Sequence, residues 1–146
     1  MRIEPRPFDD PDAALLRDEL LAYVVETYGF DNEPGAKPSA ADTTVFLVAV
    51  DEAPLGCVGL RLLEPGVAEL KRMWVRPRAR GRGVGRALLA AVEAEAAARG
   101  VTTMRLETGN LQHEAIALYE RLGYRPIPCW GAYAGCDDSL CFERRL

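Results

Sequence analysis

The sequence predicts an α/β fold: a mixed, mostly antiparallel sheet of about six to seven strands flanked by helices. Three observations carry this. Three β-rich runs follow one another between Thr43 and Val75 with only short turns between them. A glycine-rich turn, Arg80-Gly81-Arg82-Gly83-Val84-Gly85-Arg86, then opens an alanine-rich helical stretch. A further strand–helix pair and a Pro- and Gly-punctuated tail with a last strand complete the chain.

Taken in order, Arg2 to Phe8 alternates weakly and is interrupted by Pro5 and Pro7, as suits an edge strand. Asp10 before Pro11 reads as an N-cap with proline in the first helical position. Leu15, Leu16, Glu19, Leu20, Val24 and Val25 continue that helix towards Gly29. Phe30 to Asp42, rich in Pro, Gly, Asp and Ala, is expected as a loop or short irregular helix. Strands follow at Thr43–Val50, Leu55–Leu63 and Val67–Val75, separated by Asp51-Glu52-Ala53-Pro54 and Glu64-Pro65-Gly66, so an antiparallel meander is expected. A helix from Val84 to Arg99 buries Leu88, Leu89, Val92 and Ala96 and stops at Gly100. Thr102–Thr108 reads as a strand, Leu111–Leu122 as a helix ending at Gly123, and Ser139–Leu146 as the final strand after a short one from Tyr124.

At 146 residues and 49% hydrophobic, the chain fits one domain over 1–146 with a core large enough to need no staples. No apolar run approaches the roughly 20 residues of a membrane span, and MRIEPRPFDD has no signal-peptide core. The four cysteines show no C-x-x-C spacing, and His113 is the lone histidine. Neither a metal site nor a disulfide framework is therefore expected, and a reducing cytoplasm is the expected location. The net charge of −4 argues against nucleic acid as a partner. Yet seven of the 18 basic residues (Lys71, Arg72, Arg76, Arg78, Arg80, Arg82 and Arg86) fall in one stretch without an acidic residue. That pattern points to a local anion site on an otherwise acidic chain.

The glycine-rich turn has the physics of a pyrophosphate cradle. Glycines let backbone N–H groups approach an anion, the following helix contributes its positive end, and arginines pair with phosphate oxygens. It is not a Walker loop, which needs Gly-Lys-Ser/Thr, nor a Rossmann G-x-G-x-x-G, since Arg86 and Leu88 stand where glycine would be needed.

Arg80-Gly81-Arg82-Gly83-Val84-Gly85 resembles the Q/R-x-x-G-x-G/A motif of the GNAT family of N-acetyltransferases. Gln112-His113-Glu114-Ala115-Ile116-Ala117-Leu118-Tyr119-Glu120-Arg121-Leu122-Gly123-Tyr124 resembles that family's N-x-x-A-x-x-L-Y-x-x-x-G-F/Y helix, with Gln112 in place of Asn. The resemblance covers Val67 to Tyr124, and SLCFERRL is similar to the family's last strand. LETGNLQHEAIALYERLGY with the PIP and SLCFERRL that follow is similar to bacterial members that acetylate small molecules.

The resemblance implies a GNAT fold whose fourth and fifth strands, Val67–Val75 and Thr102–Thr108, splay to admit acetyl-CoA. It implies backbone contacts to pantetheine from Met73, Trp74 and Val75, and pyrophosphate on the amides from Gly81 to Arg86, with Gly83, Val84 and Gly85 between them. Arg80 and Arg82 would serve for charge contacts, Gln112 for an amide contact, and Tyr119 as the acid that protonates the leaving thiolate and borders the cofactor. An alkyl amine of pKa about 10 must lose a proton before it attacks. Glu69, or a water it holds, is the first candidate base and Glu107 the second. A strand carboxylate paired with Lys71 or Arg105 is the structural alternative for Glu69. Tyr23, Tyr28, Phe30, Trp130, Tyr133 and the Asp137-Asp138 pair are candidates to line an acceptor pocket. The expected partner is a small-molecule amine, and a homodimer is in keeping with the family. A protein amino terminus or lysine as acceptor, and a non-catalytic coenzyme A sensor, remain open.

Overall fold

A computed structural model describes residues 1–35 and 37–146; within the expected Phe30–Asp42 loop, Ala36 lies outside the described residues. The strands are β1 (Arg2–Pro5), β2 (Val45–Val50), β3 (Pro54–Glu64), β4 (Val67–Val75), β5 (Thr103–Gly109), β6 (Arg125–Ile127) and β7 (Ser139–Arg145). The helices are α1 (Pro11–Tyr28), α2 (Val84–Ala98) and α3 (His113–Arg121). All seven strands form one sheet in the order β1-β2-β3-β4-β5-β7-β6, antiparallel throughout except for β4 and β5. The meander expected between Thr43 and Val75 is β2-β3-β4.

Local chemistry sets the boundaries. Asp10 caps α1 by accepting from the Asp12 and Ala13 N–H groups, worth about 1 kcal/mol for such a cap, and left-handed Gly29 closes the helix. The first strand ends at Pro5, earlier than Phe8, because Pro5 and Pro7 cannot donate to a ladder. No helix forms among the described residues of the Phe30–Asp42 segment.

The sheet has an apolar layer on each side. Against α2 pack Val45, Leu47, Val58, Leu60, Leu70, Met104 and Leu106, with Leu88, Leu89 and Val92 from the helix. Against α1 pack Phe46, Val48, Val50, Cys57 and Trp74, with Ala13 and Leu16 from the helix. The expected stripe of α1 is only partly buried: Leu16 is enclosed, whereas Leu15 and Val25 are exposed.

Two irregularities in β4 position everything that follows. Its parallel pairing with β5 covers only Val67↔Thr103 through Leu70↔Leu106, after which the strands separate. On its other edge the register with β3 slips between Cys57↔Trp74 and Gly59↔Lys71, so Arg72 and Met73 together oppose Val58. Arg72 absorbs the extra length with a φ of 55°, the one left-handed non-glycine residue among those described.

Cys129 and Cys141 form a disulfide, contrary to the expectation that the cysteines stay unpaired. The reason is register. β6 and β7 are antiparallel with Ile127 opposite Cys141, which carries Cys129, two residues on, diagonally across from its partner. Fold-level adjacency of this kind leaves no short spacing motif to read.

Candidate active site

The splay between β4 and β5 opens two adjoining concavities. A long groove of about 790 Å³ runs from the free edge of β4 over the glycine-rich turn to the outer side of α3. A smaller cavity of about 100 Å³ lies between β4, β5 and the end of α1. Met73, Gln112 and Ala115 line both, so the two meet where β4 leaves β5.

The groove is lined mainly by the end of β4, the glycine-rich turn and α3. Gly81 and Gly83 hold φ of 75° and 80°, values that side-chain-bearing residues seldom adopt. Gly83 is the N-cap of α2 and offers no side chain, and the first N–H to bond back is that of Ala87, to the Gly83 carbonyl at 3.0 Å. The Val84, Gly85 and Arg86 N–H groups thus have no intrahelical acceptor, and all three residues line the groove. Gly85 lets α3 pack closely: a Cβ there would come within 2.9 Å of the Leu118 side-chain tip, which would have to shift.

The predicted cofactor residues divide into two groups. Met73, Val75, Gly81, Gly83, Val84, Gly85, Arg86 and Gln112 all line the groove. Trp74 lines it too, but its indole lies beneath α1 and donates to Glu19 at 3.2 Å. Arg80 lines the groove too and is engaged within the protein: its Nε donates to the Val75 carbonyl at 3.0 Å, its guanidinium sits 5.0 Å from the Trp74 ring centre, and it meets the exposed Glu114 at 3.3 Å. Arg82 is exposed, 3.6 Å from Asp51, and does not line the groove. Arg86 lines the groove and makes no ion pair among the described residues.

The cavity is built from side chains. Leu20, Val24 and Tyr28 come from α1, Asn32 and Glu33 from the segment after it, Lys71 and Arg72 from β4, Glu107 from β5 and Tyr119 from α3. Tyr28 reaches over β5: its hydroxyl accepts from the Leu111 N–H at 3.0 Å and fills the space where a Cβ on Gly109 would stand. Tyr119 lies one helical turn beyond Ala115 and is 4% exposed; burial pushes its phenol well above the ordinary value, so it stays protonated at neutral pH.

The two candidate carboxylates differ in place. Glu69 is 1% exposed and does not line the cavity. It accepts the Tyr133 hydroxyl at 2.6 Å, and Lys71 Nζ lies 3.8 Å away. Arg105, the other partner considered for it, instead faces Glu143 at 3.4 Å. Glu107 does line the cavity; burial pushes its carboxyl above the ordinary 4.5, against the opposing pull of a hydrogen bond from Ser139 at 2.7 Å.

Of the aromatic candidates, Tyr28 lines the cavity and Tyr23 the groove. Tyr133 packs edge-on against Trp130 and lies behind Lys71, while Phe30 is exposed. Asp138 contributes through its backbone, accepting from Asn110 N–H. His113 is an exposed first residue of α3. The Lys71–Glu69 pairing expected as the structural alternative is present at 3.8 Å; Tyr133 between them was not legible, because it lies 62 and 64 residues away.

Comparison with known proteins agrees with this architecture. The family model described as Acetyltransferase (GNAT) family matches residues 9–124. A protein of Azospirillum brasilense named IAA acetyltransferase is 36% identical over 148 residues, covering 96% of this chain and 94% of that one. A crystal structure from Klebsiella pneumoniae subsp. pneumoniae, of a protein assigned as an acyl-CoA N-acyltransferase, superposes with a TM-score of 0.85 at 33% identity, covering 99% of this chain and 97% of that one. A GNAT acetyltransferase of Elizabethkingia anophelis with acetyl-CoA bound shares the fold at a TM-score of 0.71 and 20% identity, with 99% and 97% covered. The chain belongs to the GNAT family of acetyltransferases, an N-acetyltransferase whose cosubstrate is acetyl-CoA.

Proposed function

We propose that the protein moves the acetyl group of acetyl-CoA to the primary amine of a small molecule by direct attack, with Glu107 as base and Tyr119 as acid. The observation that carries this is the junction at Met73, Gln112 and Ala115. There a groove suited to a pantetheine diphosphate meets a cavity holding Glu107, a carboxylate with no ion pair among the described residues, and the buried phenol of Tyr119.

In this reading the pantetheine arm lies along the unpaired edge of β4 from Met73 to Val75, as an added strand would. The diphosphate rests on the free N–H groups at the start of α2, with Arg86 as the nearest uncommitted cation and Arg82 further out. Arg80 acts mainly as a brace, since its guanidinium already ties the end of β4 to Trp74. An ammonium acceptor gives one proton to Glu107, whose raised affinity for protons suits it to the task near neutral pH. The free amine attacks the thioester carbonyl, the C–N bond forms, and the C–S bond breaks. Tyr119 donates its phenolic proton to the departing sulfur, and the second amine proton restores the phenol. Glu69, the first candidate from sequence, serves by holding, together with Tyr133, Lys71 in the wall beside Glu107.

The test is calorimetric titration with acetyl-CoA followed by thiol release across a panel of amines, with IAA, the compound in the name of the Azospirillum relative, included. Micromolar binding with release on an amine class is the expected result. Binding without release on any small molecule would overturn the acceptor assignment in favour of a protein acceptor or a coenzyme A sensor.

A further inference from the structure

We propose that the acceptor is a compact amine with no carboxylate beside it: an aliphatic amine or diamine or an arylalkylamine, in preference to the matching α-amino acid. This rests on the reading above that the small cavity receives the acceptor. It follows from which charges in the cavity wall already have partners.

The wall has two cations, and both are taken. The Arg72 guanidinium grips Glu33 with two prongs, at 3.0 and 3.2 Å, and the two side chains are 16% and 15% exposed. Lys71, 11% exposed, donates to the Tyr133 hydroxyl at 2.7 Å, and that hydroxyl donates to Glu69 at 2.6 Å. The ammonium also lies 3.8 Å from Glu69 and 4.0 Å from Glu33. Arg105, the next cation along β5, faces Glu143 and lies over the Trp130 ring.

Glu107 is the exception. Among the described residues it has no ion pair, and its hydrogen bond comes from the neutral Ser139 hydroxyl. The unmatched charge in the cavity is therefore negative, and the ligand that completes it is a cation. A carboxylate attached next to that cation would enter a wall already holding Glu33 and Glu107. To gain a cation it would have to displace Glu33 from Arg72, leaving Glu33, mostly buried, with only the shared Lys71 ammonium at 4.0 Å. Leu20 and Val24 offer hydrocarbon contact in its place. Selection here comes from exclusion as much as from attraction.

The experiment measures thiol release on pairs that differ only by the carboxylate: phenethylamine against phenylalanine, and putrescine against ornithine. The decarboxylated member of at least one pair is expected to have kcat/KM higher by about tenfold or more. Glu33→Gln should leave Arg72 free for a substrate carboxylate and shift that ratio towards the amino acid by about fivefold or more, with acetyl-CoA affinity unchanged. Turnover that is equal on both members, or better on the amino acids, overturns this inference and leaves the acetyl-transfer assignment standing. An unchanged ratio in a Glu33→Gln protein that still binds acetyl-CoA overturns it as well. Acetyl-CoA binding with no turnover on any amine overturns the acceptor assignment itself, and this inference with it.

Discussion

The groove and the cavity share three residues but are built by different means. Most of the groove comes from one continuous segment, from the end of β4 through the turn to the first turn of α2, and it is closed by α3 and by Tyr23 of α1. In the proposed reading its recognition groups are main-chain N–H and C=O, so side-chain identity counts chiefly where glycine is needed. The cavity draws on five separated segments and recognises by side-chain charge. On that reading the groove accepts the invariant partner, and the cavity can be altered position by position without disturbing it.

Substitutions can break that division of labour. The largest effect is expected for Glu107→Gln: kcat/KM for the amine falls by about 10²–10³ while the acetyl-CoA Kd from calorimetry stays the same. The parent enzyme should show an acid limb in kcat/KM with its midpoint above the ordinary carboxylate value of 4.5, and the variant should lack it. The same group affects stability with a definite sign. Because the folded protein holds this proton more tightly than the unfolded chain, the contribution of Glu107 is fully present below the unfolded value and is lost as pH rises through the folded one. Chemical denaturation at pH 8 should therefore find Glu107→Gln more stable than the parent, an inactive but sturdier protein.

Tyr119→Phe comes next, with kcat lower by about 10- to 100-fold and little change in the affinity for either substrate. Equal losses in kcat and acetyl-CoA affinity would instead make Tyr119 a packing residue. Tyr133→Phe removes the hydroxyl that joins Lys71 to Glu69. About a tenfold rise in acceptor KM is expected with the acetyl-CoA Kd unmoved, since the damage stays on the cavity side. The smallest effect belongs to Arg86→Ala, which should weaken acetyl-CoA by about fivefold, less in high salt, and leave the acceptor KM alone. Any of these that moved both affinities together would blur the distinction between the two sites.

The same division explains what could be read from the sequence. The turn from Arg80 to Arg86 and the helix ending in Tyr119 and Gly123 are local patterns, and the meander from Thr43 to Val75 follows from β-rich runs and short turns, so these were legible. The strand separation after Leu70 came through the family resemblance. Arg80 pairing with Val75 was not legible, because a motif gives the residue without its rotamer. Glu69 and Glu107 are each one strand glutamate in sequence; what separates them is the loop carrying Tyr133, which covers the first and leaves the second facing the cavity. The Cys129–Cys141 bond depends on the β6–β7 register, which involves residues that no local window holds together.

The left-handed Arg72 sets which residues go to which side of the sheet. Ala68 and Leu70 point towards α2, so plain alternation would send residue 74 the same way; yet Trp74 packs under α1, while Met73 and Val75 lie on the α2 side. One inserted residue has changed odd for even. Keeping Arg72 but flattening it into the ladder would carry strict alternation downstream, driving the indole towards α2 and a short aliphatic side chain into the space beneath α1. The bulge thus acts as a reading-frame shift in space, and every contact of β4 after Lys71 depends on its single count.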